Sequence, residues 1–339
     1  MFRCAPSKSR NVMWWFRVRT VAISLVLLTV TFGAGSLSAQ DSSPRVTIFT
    51  PIPYDILDES IAGIKEGLAG GYNGHAINLN VVNANGQMQL LSTYAREIIS
   101  SRPAIIIPVS TPATEAVVGV APNNQNIIFS TVTNPARAKV SASASHITGV
   151  SDVVDYEANI ALLQELFPQA KRIGTIYNPS DAAAVFGLEK IRAICAAKGL
   201  ILTVVPASNS NEVVNAARSL TGNVDVIYIG SDNTAAAAMP GLIATTRGAG
   251  VAVIASDAGS VRNGALAAVS VDYRKLGNAV AKLVIDTLQS GKPAGAFPRV
   301  GFVGDTLVLN ADTARRLGYT VPASVLARNP QVIDSGTGR

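Results

Sequence analysis

The chain has 339 residues, with 28 Lys and Arg against 22 Asp and Glu. Five of the basic residues (Arg3, Lys8, Arg10, Arg17 and Arg19) and no acid lie in the first 39 positions, which leaves 23 against 22, a net +1, for the remainder. That balance gives no electrostatic reason to expect nucleic acid or an acidic membrane as a partner, and the lone Cys195 beyond the leader excludes an intramolecular disulfide there.

The first element in chain order is an export signal. The basic n-region precedes an apolar run at 21–32 (VAISLVLLTVTF), and Ser36-Leu37-Ser38-Ala39 supplies small residues suited to cleavage before Gln40. The run is about a dozen residues, short of the roughly 20 that a spanning helix needs. No cysteine follows it to accept a lipid. The expectation is a periplasmic protein with no stable membrane insertion once the signal is cleaved; a signal retained as an anchor is the alternative.

After Arg45, short β-branched runs alternate with segments of helical period. Strands are expected at 46–50, 77–82, 104–109 and 126–132, separated by helices carrying Leu57, Ile61, Ile64 and Leu68, then Leu91, Tyr94 and Ile98. The series restarts with a helix at about 152–167, then strands at 172–177, 200–205, 224–229 and 251–255 with helices between them. Two successive α/β units predict two Rossmann-like lobes with parallel sheets joined by hinge strands. The boundaries read as 40–148 plus about 272–295 for the first lobe and 149–271 plus about 296–327 for the second. The joint falls in the Ser-rich stretch 144–152, and 328–339 reads as a loose tail.

Equipment for catalysis is missing. The two histidines, His75 and His146, lie in a Gly/Asn-rich turn and in the expected joint, with no Cys or carboxylate cluster to complete a metal site. Neither a nucleophile elbow nor a Walker motif occurs. Both first strands run into proline-containing turns, Pro51-Ile52-Pro53 and Asn178-Pro179-Ser180, where a dinucleotide would need glycine. No enzyme activity, cofactor or metal is expected.

The strand ends instead carry hydroxyls, amides and carboxylates, and open α/β sheets bind ligands beyond those ends. The first lobe offers Thr50, Ser110, Thr111, Thr133 and Asn134; the second offers Asn178, Ser231, Asp232, Asn233 and Asp257. Ser110 or Thr111 before a helix leaves its N–H groups and positive dipole end for a carboxylate, and Asp232 and Asp257 are fit to hold an ammonium. The plain alternative is that all are helix caps and turn formers. Tyr54, Tyr156 and Tyr273 fall near lobe junctions. Tyr156 lies on the buried face of its helix, whereas Tyr273, between a strand and a helix, reads as available to a ligand.

These motifs, in this order, carry a resemblance. The segments 105–113 (IIIPVSTPA), 127–135 (IIFSTVTNP), 147–151 (ITGVS), 173–179 (IGTIYNP) and 228–233 (YIGSDN) lead to Gly264-Ala265-Leu266, Asp272-Tyr273 and Leu276-Gly277. Together they resemble the tryptophan/tyrosine-type ABC transporter substrate-binding family, with the type I periplasmic binding protein fold. The resemblance implies a receptor that closes on a small ligand and docks on an ABC permease in the inner membrane. By position it implies that Ser110 and Thr111 meet the ligand from one lobe and Ser231, Asp232 and Asn233 from the other. The chain departs from the family at Thr133-Asn134-Pro135, where Ser-Asp-Pro is usual, and at Asp181-Ala182-Ala183-Ala184. An amino acid or similar small zwitterion, possibly aromatic in its side chain, is the expected ligand. A sugar receptor of the same fold and a periplasmic sensor subunit for a membrane signalling protein are the alternatives.

Overall fold

The computed structural model describes residues 43–334, so the expected export signal lies outside the described residues. The chain begins with β1 (Arg45–Thr50), α1 (Asp55–Leu68), β2 (Asn78–Asn83), α2 (Leu91–Ser100), β3 (Ile105–Pro108), α3 (Thr111–Val118), β4 (Asn126–Ser130) and β5 (Ile147–Val153). It continues with α4 (Tyr156–Leu166), β6 (Arg172–Tyr177), α5 (Ala182–Ala197), β7 (Ile201–Pro206), α6 (Ser210–Leu220) and β8 (Val226–Ile229). Next come α7 (Asn233–Ala237), α8 (Met239–Gly248), β9 (Ala252–Ala255), α9 (Ala258–Arg262) and β10 (Ala267–Ser270). The last part is α10 (Tyr273–Ser290), β11 (Val300–Val303), β12 (Thr306–Asn310), α11 (Ala311–Arg316), α12 (Ala323–Ala327) and β13 (Gln331–Ile333).

Two sheets result, in the orders β11-β5-β4-β3-β1-β2 and β13-β12-β10-β9-β8-β6-β7. The central strands explain the pattern. Ile105, Ile106 and Ile107 in β3 and the VIYI run of β8 are wholly buried, because helices cover both faces of a parallel sheet. This is the two-lobed α/β architecture the alternation predicts. Each sheet reverses its strand order once, between β1 and β3 in the first and between β6 and β8 in the second. Ligand crevices open beyond such switch points, which singles out the ends of β1, β3, β6 and β8.

The chain passes between the sheets three times: after β5, after β10 and between β11 and β12. Helix α10 therefore returns to the first lobe and packs along α1. The approach is close enough that a β-carbon on Gly63 or Gly277 would overlap the Arg274 or Ser60 carbonyl of the facing helix.

Several boundaries differ from the sequence reading. The expected joint at 144–152 contains β5, which lies in the first sheet between β4 and β11, so the first crossing falls after Val153. Its Gly149 lets β5 lie against Phe129, whose carbonyl a side chain would strike. Strand β11, expected in the second lobe, pairs with β5 in the first. In the expected loose tail, β13 pairs with β12 at the edge of the second sheet; a three-residue edge strand is too short to show a period. The sheets are not wholly parallel either, since β10 and β12 run antiparallel.

Candidate functional site

The strand ends of the two lobes face each other and touch. Thr50 is buried at the end of β1, its hydroxyl donating to the Ile52 carbonyl at 3.2 Å. One strand over, Ser110 stands at the N-terminal boundary of α3 with φ 88°, a left-handed backbone that side chains rarely adopt. Thr131, at the end of β4, has φ 57°. Strain of this kind persists where the surroundings enforce it, often at ligand sites. Here the Ser110 N–H donates to the Ser130 carbonyl at 2.9 Å, which ties both turns together.

Ser110 does not cap α3 with its side chain. Its Oγ and the Thr111 Oγ1 are fully buried and have no hydrogen-bond partner among the described residues. Buried hydroxyls nearly always find partners, so this pair, beside the free N–H groups of a helix start, is prepared for an acceptor from outside the chain.

Thr133 joins the lobes. Its hydroxyl donates to Asp152 Oδ1 at 3.3 Å and shares a hydrogen bond with Ser231 of the second lobe at 3.0 Å. The other Asp152 oxygen accepts from the Tyr273 hydroxyl at 3.2 Å. Tyr273 is 2% exposed. The expectation of a freely available ring is thus corrected, because Tyr273 opens α10 with its ring packed in the core and only its hydroxyl turned to Asp152. Burial, reinforced by the neighbouring Asp257, pushes the Asp152 carboxyl up to about 7, against the opposing pull of its hydrogen bonds.

On the second lobe, Asp257 caps α9 by accepting from Ser260 N at 2.7 Å and from Ser260 Oγ at 2.8 Å. It also accepts from the Tyr54 hydroxyl of the first lobe at 2.5 Å. Burial holds its carboxyl above the ordinary range despite these donors. Asp232 accepts backbone N–H bonds on both oxygens, from Asn178 at 2.5 Å and Ala235 at 2.8 Å. It is a helix cap in this conformation, not a free acceptor for an ammonium. Burial, with Asp181 beside it, raises it to about 7.

Asn178 and Asn233 complete this corner. The Asn178 amide donates to Thr234 Oγ1 at 2.8 Å, and the Asn233 amide donates to Asp181 Oδ2 at 2.9 Å. Asn134 forms its own turn, accepting from Ala136 N at 3.1 Å. The structure thus gathers Thr133, Ser231, Asp257 and Tyr273 at the meeting of the lobes, leaves Ser110 and Thr111 buried at the start of α3, and gives Asn134 and Asp232 local structural work.

Three participants were missing from the expected set. Tyr54 was singled out by its place near a junction but not as a site residue. The helical period places Asp152 at the start of a helix, although a Ser-Asp pair closing an alternating run is itself the mark of a polar strand end. Ser260 gave no signal in the sequence.

A cavity of ≈ 440 Å³ opens between the lobes beside the first turn of α3, lined there by Pro112, Glu115 and Ala116. Met88 and Leu91 add apolar surface, and Asn178, Ser180 and Asp181 close it from the second lobe. This lies within the usual size range for small-molecule sites. Among the described residues no cluster of His, Cys, Asp and Glu is arranged to hold a metal, and no helix is long and apolar enough to cross a membrane.

Residues 45–333 match the family model described as ABC transporter substrate binding protein. A tyrosine-binding protein of Clostridioides difficile strain R20291 is 30% identical over 272 residues, 78% of either chain. The solved ABC domain from Streptococcus pneumonia in complex with L-Trp is 26% identical over 86% of this chain and 100% of that one, with a TM-score of 0.80. A ligand-free, open substrate-binding protein with adhesive properties from Clostridium difficile is 25% identical over 86% of this chain and 99% of that one, with a TM-score of 0.62.

Proposed function

This chain belongs to the ABC transporter substrate-binding protein family, and from that premise we propose that it takes up an amino acid with an aromatic side chain between its lobes. The reading places the protein in the periplasm after export and has its closed form deliver the ligand to a permease in the inner membrane.

One observation carries the proposal: the start of α3, next to the interlobe cavity, holds two buried hydroxyls without a partner among the described residues, and the lobe junction holds a buried acid whose side-chain partners are hydroxyls. The ligand carboxylate meets Ser110, Thr111 and the N-terminal amides of α3, where the helix dipole favours negative charge. The ammonium meets Asp152. Asp232 and Asp257 already hold N–H or O–H donors at 2.8 Å or less on every carboxylate oxygen, whereas Asp152 holds hydroxyls at 3.2 and 3.3 Å. An aromatic side chain then enters the neighbouring cavity past Met88 and Leu91. Because Asn178, Ser180 and Asp181 close that cavity from the second lobe, ligand touches both lobes only in the closed form and shifts the population toward it.

The test is a thermal-shift and calorimetric comparison of L-tyrosine, L-tryptophan and L-phenylalanine with tyramine, which lacks the carboxylate, and 3-(4-hydroxyphenyl)propionate, which lacks the amine. The proposal expects binding of at least one amino acid and a loss of about 100-fold or more for both truncated compounds. Equal binding of tyramine would remove the carboxylate role of Ser110 and Thr111. A response confined to sugars would overturn the zwitterion assignment.

A further inference from the structure

We propose that two ion-pair latches on the rims of the cleft, Arg262 with Asp55 and Glu59, and Arg137 with Glu189, hold the lobes together before any ligand arrives. The first lies where α9 of the second lobe meets the start of α1 of the first. Arg262 donates from Nε to Asp55 Oδ2 at 3.3 Å and from Nη2 reaches Glu59 Oε1 at 2.9 Å. The Asn263 amide adds a 3.4 Å contact to the same Asp55 oxygen. The backbones approach closely here: a β-carbon on Gly259 would sit 3.1 Å from Asp55 Cβ and from Ile56 Cγ2.

The second latch lies on the α5 side. Arg137, in the loop after β4, grips both oxygens of Glu189 at 2.8 and 3.0 Å. Both contacts come from Nη2, which shares its protons between the two carboxylate oxygens in a charge-assisted pair.

Neither latch includes a residue assigned to the ligand, and each joins elements of different lobes. Opening the hinge must break both, so their whole contribution falls on the closed form. Exposed pairs are individually weak, yet the equilibrium they bias is also small. A ligand whose competent state is only partly populated binds weaker by that fraction, so the latches act as positioning devices that raise affinity without touching the ligand. Each pair is expected to shift the closed-to-open ratio about 2- to 5-fold, the range of an exposed ion pair.

The inference uses the closure mechanism above for its purpose, but its test needs no ligand. Small-angle scattering of the ligand-free chain is compared for wild type, Arg137→Glu, Glu189→Arg and the double exchange, at low salt and in 1 M NaCl. Arg262→Gln is measured alongside. Both reversals and Arg262→Gln should enlarge the radius of gyration at low salt, the double exchange should restore it, and high salt should erase the differences. Identical scattering from all five proteins would overturn the latches. Unfolding midpoints within a degree or two of wild type separate opening from misfolding. If the latches respond as expected but no aromatic amino acid binds, the closure device stands and the ligand assignment falls.

Discussion

The Tyr54 hydroxyl of the first lobe donates to the Asp257 carboxylate of the second at 2.5 Å, and the same hydroxyl lies 3.0 Å from Ser260 Oγ. The contact makes a helix cap in one lobe depend on a tyrosine in the other. Burial and the adjoining Asp257 carboxylate hold the phenol far above its usual range, so Tyr54 remains a donor at any physiological pH. A hydrogen bond to a charged group contributes about 1.5–3 kcal/mol. Tyr54→Phe is therefore expected to weaken binding of L-tyrosine by about tenfold or more. Because Asp257 keeps its Ser260 donors, the unfolding midpoint should move little; calorimetry and thermal melts on one sample check both.

The hydroxyls of Ser110 and Thr111 lead to an opposite pair of signs. They are buried without partners in the ligand-free chain, and an unmet buried polar group costs about 1–3 kcal/mol. Ser110→Ala and Thr111→Val should leave the ligand-free protein as stable as wild type or more so. Both should weaken a carboxylate-bearing ligand by about tenfold or more, the worth of one hydrogen bond to a charged group. A variant that lost stability and kept its affinity would show that these residues serve the fold.

The buried acids set a pH dependence. Asp152 and Asp232 are each raised to about 7 by burial, and Asp181 and Asp257 are raised in the same direction. A carboxyl whose folded pKa exceeds its unfolded value binds its proton more firmly when folded. Its contribution is fully present below about pH 4 and is lost as pH rises through about 7. The ligand-free protein should accordingly melt lower at pH 8 than at pH 5, with a slope of up to about 1.4 kcal/mol per pH unit for each proton. An ammonium beside Asp152 favours the ionised form, so binding near pH 6 should release a proton. Calorimetry in buffers of different ionisation heat measures that release, and Asp152→Asn should abolish it.

Packing of the returning helix is testable without ligand. At Gly277 a methyl group would collide with the Ser60 carbonyl in α1. Gly277→Ala should destabilise the protein by about 1–3 kcal/mol, the usual cost of overpacking a close contact. Denaturant unfolding measures it. An unchanged midpoint would mean that α1 and α10 separate easily.

The fold was legible because central strands such as 105–107 are continuous apolar runs and helices with Leu57, Ile61 and Ile64 show a clear period. The edge strands were not: β11 and β13 are three or four residues long and half exposed, too short for alternation. The site was readable only as a set of polar strand ends. Sequence cannot tell a carboxylate tied to the backbone N–H groups of distant segments, such as Asp232, from one whose side-chain partners are hydroxyls, such as Asp152. That difference arises from which backbone amides the tertiary fold brings near. The left-handed turns at Ser110 and Thr131 were equally hidden, since neither position carries the glycine that would announce them.

The most direct test of the account is an isothermal titration of residues 40–339 with L-tyrosine and L-tryptophan at pH 7.5, repeated with Asp152→Asn. The account predicts one saturable site for at least one of the two amino acids, weakened at least tenfold by the substitution. Absence of binding to both, or binding that Asp152→Asn leaves intact, would contradict the placement of an amino-acid zwitterion between these lobes.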